Sequence, residues 1–263
     1  MDYANKSKYN IGDLLNIVSF LRSDKGCPWD REQDHKTIRK NFIEETYEAV
    51  EAIDLEDTNL LKEELGDVLL QVVFHSQIEK EENHFEFDDV VDGLCKKLIE
   101  RHPHVFSDVI ANDSAQALEN WNKVKMDLKG QKNKSDAMES VSKALPSLMR
   151  SLKVQKKAFK TSPDFNNINE ALTNAEEEFC KMRKTITDKL DNSYKEKIGE
   201  MLFSVVNISR CLNIDPEEAL SKYCDKFIDM YKSAEVLAND RGIDMNSLSI
   251  DNFKMFLKEV QNS

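Results

Sequence analysis

The chain has 263 residues, 40% of them hydrophobic, which is enough to build one large or two modest cores. A formal charge of −12 lacks the basic footprint that displaces counterions from phosphates, so nucleic acid is excluded as a general partner. Only 7 Gly and 5 Pro, with 33% charged residues and few alternating β-branched runs, point to an all-α protein.

The opening MDYANKSKYNIGD has no apolar signal core. No apolar run approaches the ~18 residues of a membrane span. Cys27, Cys95, Cys180, Cys211 and Cys224 form no CxxC pair, as expected of reduced thiols in a cytoplasmic protein with no membrane association.

In chain order, apolar periodicity predicts a helix over 11–22 and then a break at DKGCPWD. Trp29, in that break, can stack on a base or cap a core. The next helix is predicted over 34–54. Its apolar side runs through Phe42, Ile43, Tyr47, Val50 and Ile53, and Glu44 and Glu51 point away from it. Glu45 and Glu48 share their sector with Ile38, Ala49 and Ala52, where protein is expected to lie.

A helix over 58–82 follows, containing EELGDVLLQVVFHSQ. It is apolar almost all round, yet Glu64, Asp67, Gln71 and His75 fall in one stripe about 80° wide. Glu-x-x-Glu on one helix and Glu-x-x-Asp on the next each place two carboxylates one turn apart on one face. Brought together they repel and raise one another's pKa values. Hard divalent cations remove that cost, and all-oxygen ligation suits Mg²⁺, or Mn²⁺ as a substitute. The competing reading is that acidic residues merely coat solvated faces, the usual fate in a chain with 49 Asp and Glu. His75 lies nearly three turns beyond Glu64, too far to share its metal.

Another helix is predicted over 87–101, ended by Pro103 in ERHPHVF, with one more around Trp121. Lys97 and Arg101 are one turn apart, and Lys125 follows Trp121 by four. All three can grip a polyphosphate or lie solvated on the surface. His102 and His104 flank Pro103 and read as turn residues or as residues supporting the site from behind, not as metal ligands.

The polar tract LKGQKNKSD, residues 128–136, is the expected boundary between a first domain, 1–127, and a second, 137–263. The second half repeats the first in weakened form. KEELGDVLLQVVFHSQ at 62–77 aligns with KEKIGEMLFSVVNISR at 195–210, and FDDVVDGLCKKLIER at 87–101 resembles DPEEALSKYCDKFIDM at 215–230.

The strings GCPWDREQ, EETYEAVEAID, EELGDVLLQVVFHSQ, KLIERHPHVF and ALPSLMRSLKVQKKA occur in an order and spacing that resembles the MazG family of all-α nucleoside triphosphate pyrophosphohydrolases, over about residues 11–235. The resemblance implies two tandem helical-bundle domains and a homodimer. It implies Mg²⁺-dependent hydrolysis of nucleoside triphosphates at the α–β bond, by metal-activated water, to the monophosphate and pyrophosphate, a nucleotide-pool house-cleaning role.

Carried onto this sequence, the family's EExxE and ExxD motif falls on Glu44, Glu45, Glu48, Glu64 and Asp67. With the wheel argument, Glu45, Glu48, Glu64 and Asp67 are the expected metal ligands. Glu44 either orients the attacking water or lies outside. Trp29, Lys97, Arg101 and Lys125 are the expected substrate contacts.

The second half departs from the pattern. Lys197 and Glu200 stand where Glu64 and Asp67 would align, NAEEEFCKMRK offers no Glu-x-x-Glu, Met230 replaces Arg101, and KTSPDFNN stands in place of the family's GFDW segment. A lysine in a metal shell repels the ion, so this half is expected to be a degenerate copy retained for packing, dimer contacts or regulation. Two other readings remain: a non-catalytic Mg²⁺–nucleotide-binding regulator of the same fold, and a pyrophosphatase restricted to a noncanonical or deoxy nucleotide.

Overall fold

A computed structural model describes residues 6–128, 133–159, 167–188, 194–245 and 248–261. Among them are thirteen helices and no strand, as the composition predicts. The chain divides into two compact units, 1–128 and 129–263. The division falls at the start of the polar tract. Residues 129–132 of that tract, and KTSPDFNN apart from Asn167, lie outside the described residues.

The first unit holds α1 (Ile11–Leu21), α2 (Pro28–Glu32), α3 (Arg39–Asp54), α4 (Thr58–Glu81), α5 (Phe87–Arg101), α6 (Pro103–Phe106) and α7 (Ser114–Leu128). The second holds α8 (Lys134–Glu139), α9 (Ser147–Phe159), α10 (Ile168–Asp188), α11 (Tyr194–Cys211), α12 (Pro216–Asp240) and α13 (Ile250–Gln261).

The helix predicted from residue 34 starts at Arg39. Asp34 accepts hydrogen bonds from the backbone N–H of Lys36 and Thr37, both at 2.8 Å, and this local turn outcompetes the first helical turn. A short connection then folds α4 back onto α3, with Glu56 in the left-handed region at φ 54°. Asp57 caps α4 by accepting from Asn59 and Leu60 N–H. The core of this unit is Val18, Ile38, Val73, Phe74 and Ile78, with Leu14, Leu15, Leu70 and Phe87 against it.

Arg22 ties α1, α2 and α4 together. Its guanidinium donates to both Glu81 oxygens, at 2.7–3.1 Å, and to the carbonyls of Asp30 and Gln33, and it lies over the Phe74 ring. The DKGCPWD break has a steric reason as well. A Cβ on Gly26 would come within 2.2 Å of the Phe20 and Leu21 carbonyl oxygens. Gly26→Ala is therefore expected to lower the melting temperature by roughly 5–10 °C, since the obstacle is backbone and cannot swing aside. A shift below 1 °C in a thermal melt would contradict this packing.

One expectation is corrected. Of the two glutamates expected to lie against protein, Glu45 is half-buried but Glu48 is exposed. Phe42, Ile43, Tyr47, Val50 and Ile53, the apolar side of α3, are also exposed, and the buried residues of that helix are Ala49 and Ala52. α4 packs on the narrow small-residue side that the two alanines provide, so the bulky side faces outward. α5 likewise buries no residue, and Val91, Leu94, Leu98 and Ile99 are exposed.

In the second unit α10 and α11 pair as α3 and α4 do, with α9 across α11. A separate core of Ala234, Ala238, Phe256 and Leu257 joins α12 to α13. No described helix is long and apolar enough to cross a membrane. None of the five cysteines is in a disulfide.

Candidate active site

The small residues that let α3 lie close to α4 also turn Glu45 inward, half-buried, opposite the polar stripe of α4. Carboxylate oxygens of Glu45, Glu48 and Glu64 lie within 4.8 Å of one another. Asp67, one turn beyond Glu64, is near enough for its charge to act on both Glu45 and Glu64.

The electrostatics show the strain of an uncompensated cluster. The Glu45 carboxyl is pushed above its ordinary value, first by burial, then by the charges of Asp67 and Glu48, and by a hydrogen bond shared with Glu48. Glu64 moves the same way, through burial and then Glu48 and Asp67. Such a donor set, all oxygen and mutually repelling, fits a hard divalent cation. Glu44 is exposed, on the other side of α3.

A raised carboxyl binds its proton more tightly in the folded than in the unfolded chain. Its contribution to stability is complete below the ordinary value of 4.5 and is lost as pH climbs through the folded value. Glu45→Gln lacks this penalty. In EDTA its melting temperature is expected to gain on wild type as pH rises above 4.5, and saturating Mg²⁺ should close the gap. A difference independent of pH in a scanning-fluorimetry series would refute the clustering.

Elsewhere in the unit, Trp121 of α7 organises two of the expected substrate contacts. The Arg101 guanidinium lies 5.3 Å and the Lys125 ammonium 4.4 Å from its ring centre. Around this corner Arg101 Nε, His104 Nδ1 and Asn120 Nδ2 are buried without a hydrogen-bond partner, an arrangement that asks for a ligand or partner group. Lys97 is one turn earlier on α5, exposed, and makes no such contact with the indole. Trp29 is exposed on α2, which removes the core reading of that residue and leaves its face open for stacking. His102 closes α5, with Nδ1 2.6 Å from the Leu98 carbonyl, as a turn residue should.

Sequence reasoning did not foresee the indole of Trp121 between two cations or the buried, unpartnered Asn120 amide. The Trp-to-Lys spacing of four was the available signal for the first.

It also missed what occupies the equivalent place in the second unit. The offset that sets Glu64 against Lys197 and Asp67 against Glu200 sets Glu45 against Glu178 and Glu48 against Lys181. These four residues form two ion pairs, Lys181–Glu178 and Lys197–Glu200, each 2.7 Å. Glu178 is held below its ordinary carboxyl value, first by its hydrogen bond from Lys181, then also by the Lys197 charge and a hydrogen bond with Glu200. Two ammonium groups neutralise this quartet from within.

Residues 33–106 match the family described as the MazG nucleotide pyrophosphohydrolase domain. Over 249 residues, 95% of the chain and 94% of the relative, the sequence is 37% identical to the "Nucleoside triphosphate pyrophosphohydrolase/pyrophosphatase MazG" of Thermotoga maritima. It is 35% identical over 256 residues to the "Nucleoside triphosphate pyrophosphohydrolase" of Escherichia coli K12, covering 95% of the chain and 97% of the relative. A further match, 38% over 256 residues, is to the "Uncharacterized protein YabN" of Bacillus subtilis, of which the chain spans only 52%.

Proposed function

Because this chain belongs to the MazG nucleotide pyrophosphohydrolase family, we propose that it hydrolyses nucleoside triphosphates at the α–β bond, releasing the monophosphate and pyrophosphate in a nucleotide-pool house-cleaning role. The observation that carries this reading is the convergence of Glu45, Glu48 and Glu64 from two helices, with Asp67 beside them. These four would hold Mg²⁺, or Mn²⁺ in its place. Bound there, the metal supplies charge neutralisation for the triphosphate and lowers the pKa of a coordinated water.

The remaining work falls to side chains. Arg101 and Lys125, held on the Trp121 ring, meet the negative charge that builds on the departing pyrophosphate, and their placement on one indole fixes the spacing of the two cations. The unpartnered Asn120 and His104 nitrogens give the phosphate oxygens further contacts. Lys97 extends the cationic line, and Trp29 offers a face for the base. No covalent nucleophile is required, since water adds to the α-phosphorus and the bridging oxygen leaves with pyrophosphate.

The uncovered apolar sides of α3 and α5 favour a homodimer. Large contiguous apolar faces on a soluble chain mark an interaction surface. The second unit, with its metal charge replaced by Lys181 and Lys197, is read as a degenerate copy with no role in turnover.

The test is a panel of ribo- and deoxyribonucleoside triphosphates followed by ³¹P NMR, with Mg²⁺ and with EDTA. Monophosphate and pyrophosphate appearing only with Mg²⁺ supports the reading. Diphosphate and orthophosphate, or binding without turnover across the panel, would replace it by a different hydrolase or by a regulator.

A further inference from the structure

At the far end of α4 a second group of chemistry-bearing side chains takes no part in the carboxylate cluster. Glu79 lies 12 residues beyond Asp67, about 18 Å along the helix axis. His35 Nε2 lies 2.7 Å from Glu79 Oε1, and His84 Nδ1 lies 2.8 Å from Glu79 Oε2. Glu82 Oε2 is 3.6 Å from the same His84 nitrogen. Donor atoms of Glu79, Glu82 and His84 all fall within 4.8 Å of one another.

The backbone builds this geometry deliberately from both sides. After the last turn of α4, Asn83 adopts φ 61° and the His84 N–H bonds back to the Glu79 carbonyl at 3.0 Å, which folds the His84 ring onto the helix end. From the other side, the Asp34 turn fixes the backbone around His35.

We propose that His35, Glu79, Glu82 and His84 bind a borderline divalent transition cation of the Zn²⁺ class, at a site distinct from the all-oxygen cluster. Ligand atoms around one tetrahedral Zn²⁺ stand about 3.4 Å apart; the Glu79, Glu82 and His84 donors already lie within 4.8 Å of one another, and His35, placed 2.7 Å from Glu79, completes the set by turning toward them. Imidazole nitrogens select this class over Mg²⁺, which favours oxygen. The helix C-terminus adds its negative end to the site.

Metal on His35 Nε2 has a consequence at the opposite ring nitrogen. That nitrogen, Nδ1, lies 2.7 Å from His75 Nδ1, and the two rings are stacked with centres 4.9 Å apart. Metallation leaves the proton on His35 Nδ1, so His35 donates and His75 accepts. His75 also packs against Phe42 of α3. The ion would then clasp the 34–38 turn, α3 and the end of α4 in one connected arrangement.

The test is titration of the full chain with Co²⁺, and with Zn²⁺ in competition, in excess Mg²⁺ so that the carboxylate cluster is filled. One Co²⁺ per chain with visible d–d bands is expected. His84→Ala and His35→Ala should each weaken binding about tenfold or more, and Glu64→Gln should leave it unchanged. Glu82→Gln, at an exposed position outside the short hydrogen bonds, tests the site without disturbing the fold and should weaken binding severalfold. An intense near-ultraviolet thiolate band would assign the ion to the free cysteines and overturn the proposal. So would no Co²⁺ binding, or unchanged affinity in Glu82→Gln. A plain hydrogen-bonded strut predicts that last result.

Discussion

Glu48→Gln and Asp67→Asn are each expected to lower kcat for pyrophosphate release by at least ~10²-fold, the scale on which a metal's charge stabilisation is felt. Both replacements preserve shape and hydrogen-bonding capacity and remove one negative charge from a cluster whose members already push Glu45 and Glu64 above their ordinary values. The same loss of charge should make the variants more stable than wild type in EDTA, because the repulsion is relieved. Lower turnover with a higher metal-free melting temperature is a combination that general misfolding cannot produce. Glu44→Gln, on the exposed side of α3, is the control, and a loss there as large as at Glu48 would bring Glu44 into the water-orienting role. Wild-type turnover in either Glu48→Gln or Asp67→Asn would refute the assignment.

The second large effect is expected at the ion-paired quartet of the second unit. Lys181→Glu combined with Lys197→Glu converts the second-unit quartet into four carboxylates at positions 178, 181, 197 and 200. Two 2.7 Å ion pairs are lost and four like charges remain on facing helices. In EDTA the double variant should melt roughly 5–10 °C below wild type. Mg²⁺ should recover most of that difference, because the variant recreates the donor set of the first unit, and at [Mg²⁺] near 100 times Kd linkage alone contributes about 2.7 kcal/mol. Differential scanning calorimetry with and without Mg²⁺ decides it. A melting temperature insensitive to Mg²⁺ would show that charge pattern alone does not make the site, and that the first unit relies on further features of its own.

Much of this was legible in the sequence, for identifiable reasons. Apolar periodicity located the helices, and α5 and the start of α4 fall on the predicted residues. The carboxylate cluster was legible because a helix wheel is a local rule, and Glu45 and Glu48 share a sector with the small residues Ala49 and Ala52 that draw α4 close. The wheel leaves open what covers the bulky side of α3, since it reports that a face is apolar without saying which element lies on it. Phe42 and Tyr47 stay exposed within the chain while two alanines are buried. The start of α3 was misread because the Asp34 side chain supplies the hydrogen bonds that helix would otherwise provide. Contacts between distant positions were not legible at all. His75 and Glu79 are four apart on one helix, but nothing in the spacing brings His35 to them, because that meeting depends on where a turn 40 residues upstream of His75 lands against α4. Lys197 reads in sequence as loss of a site, and Lys181 carries no signal of its own there. In three dimensions they are replacement charges.

Helix α4 runs 24 residues without a break. It carries Glu64 and Asp67 near its start, three core residues, Val73, Phe74 and Ile78, beyond them, and the Arg22 partner Glu81 at its end. The core residues hold the middle and end of this rod while its carboxylates sit on the preceding turns. Amide protons over residues 70–78 should therefore exchange only through global opening of the first unit, as its slowest cooperative block. Fluctuations that reshape the carboxylate cluster must come from α3, which bears the other pair of glutamates and an uncovered apolar side. Occupancy of that side by a second subunit would slow exchange in α3 and leave α4 as it was, so the protein's sensitivity to assembly and its resistance to unfolding reside on two different helices of one hairpin.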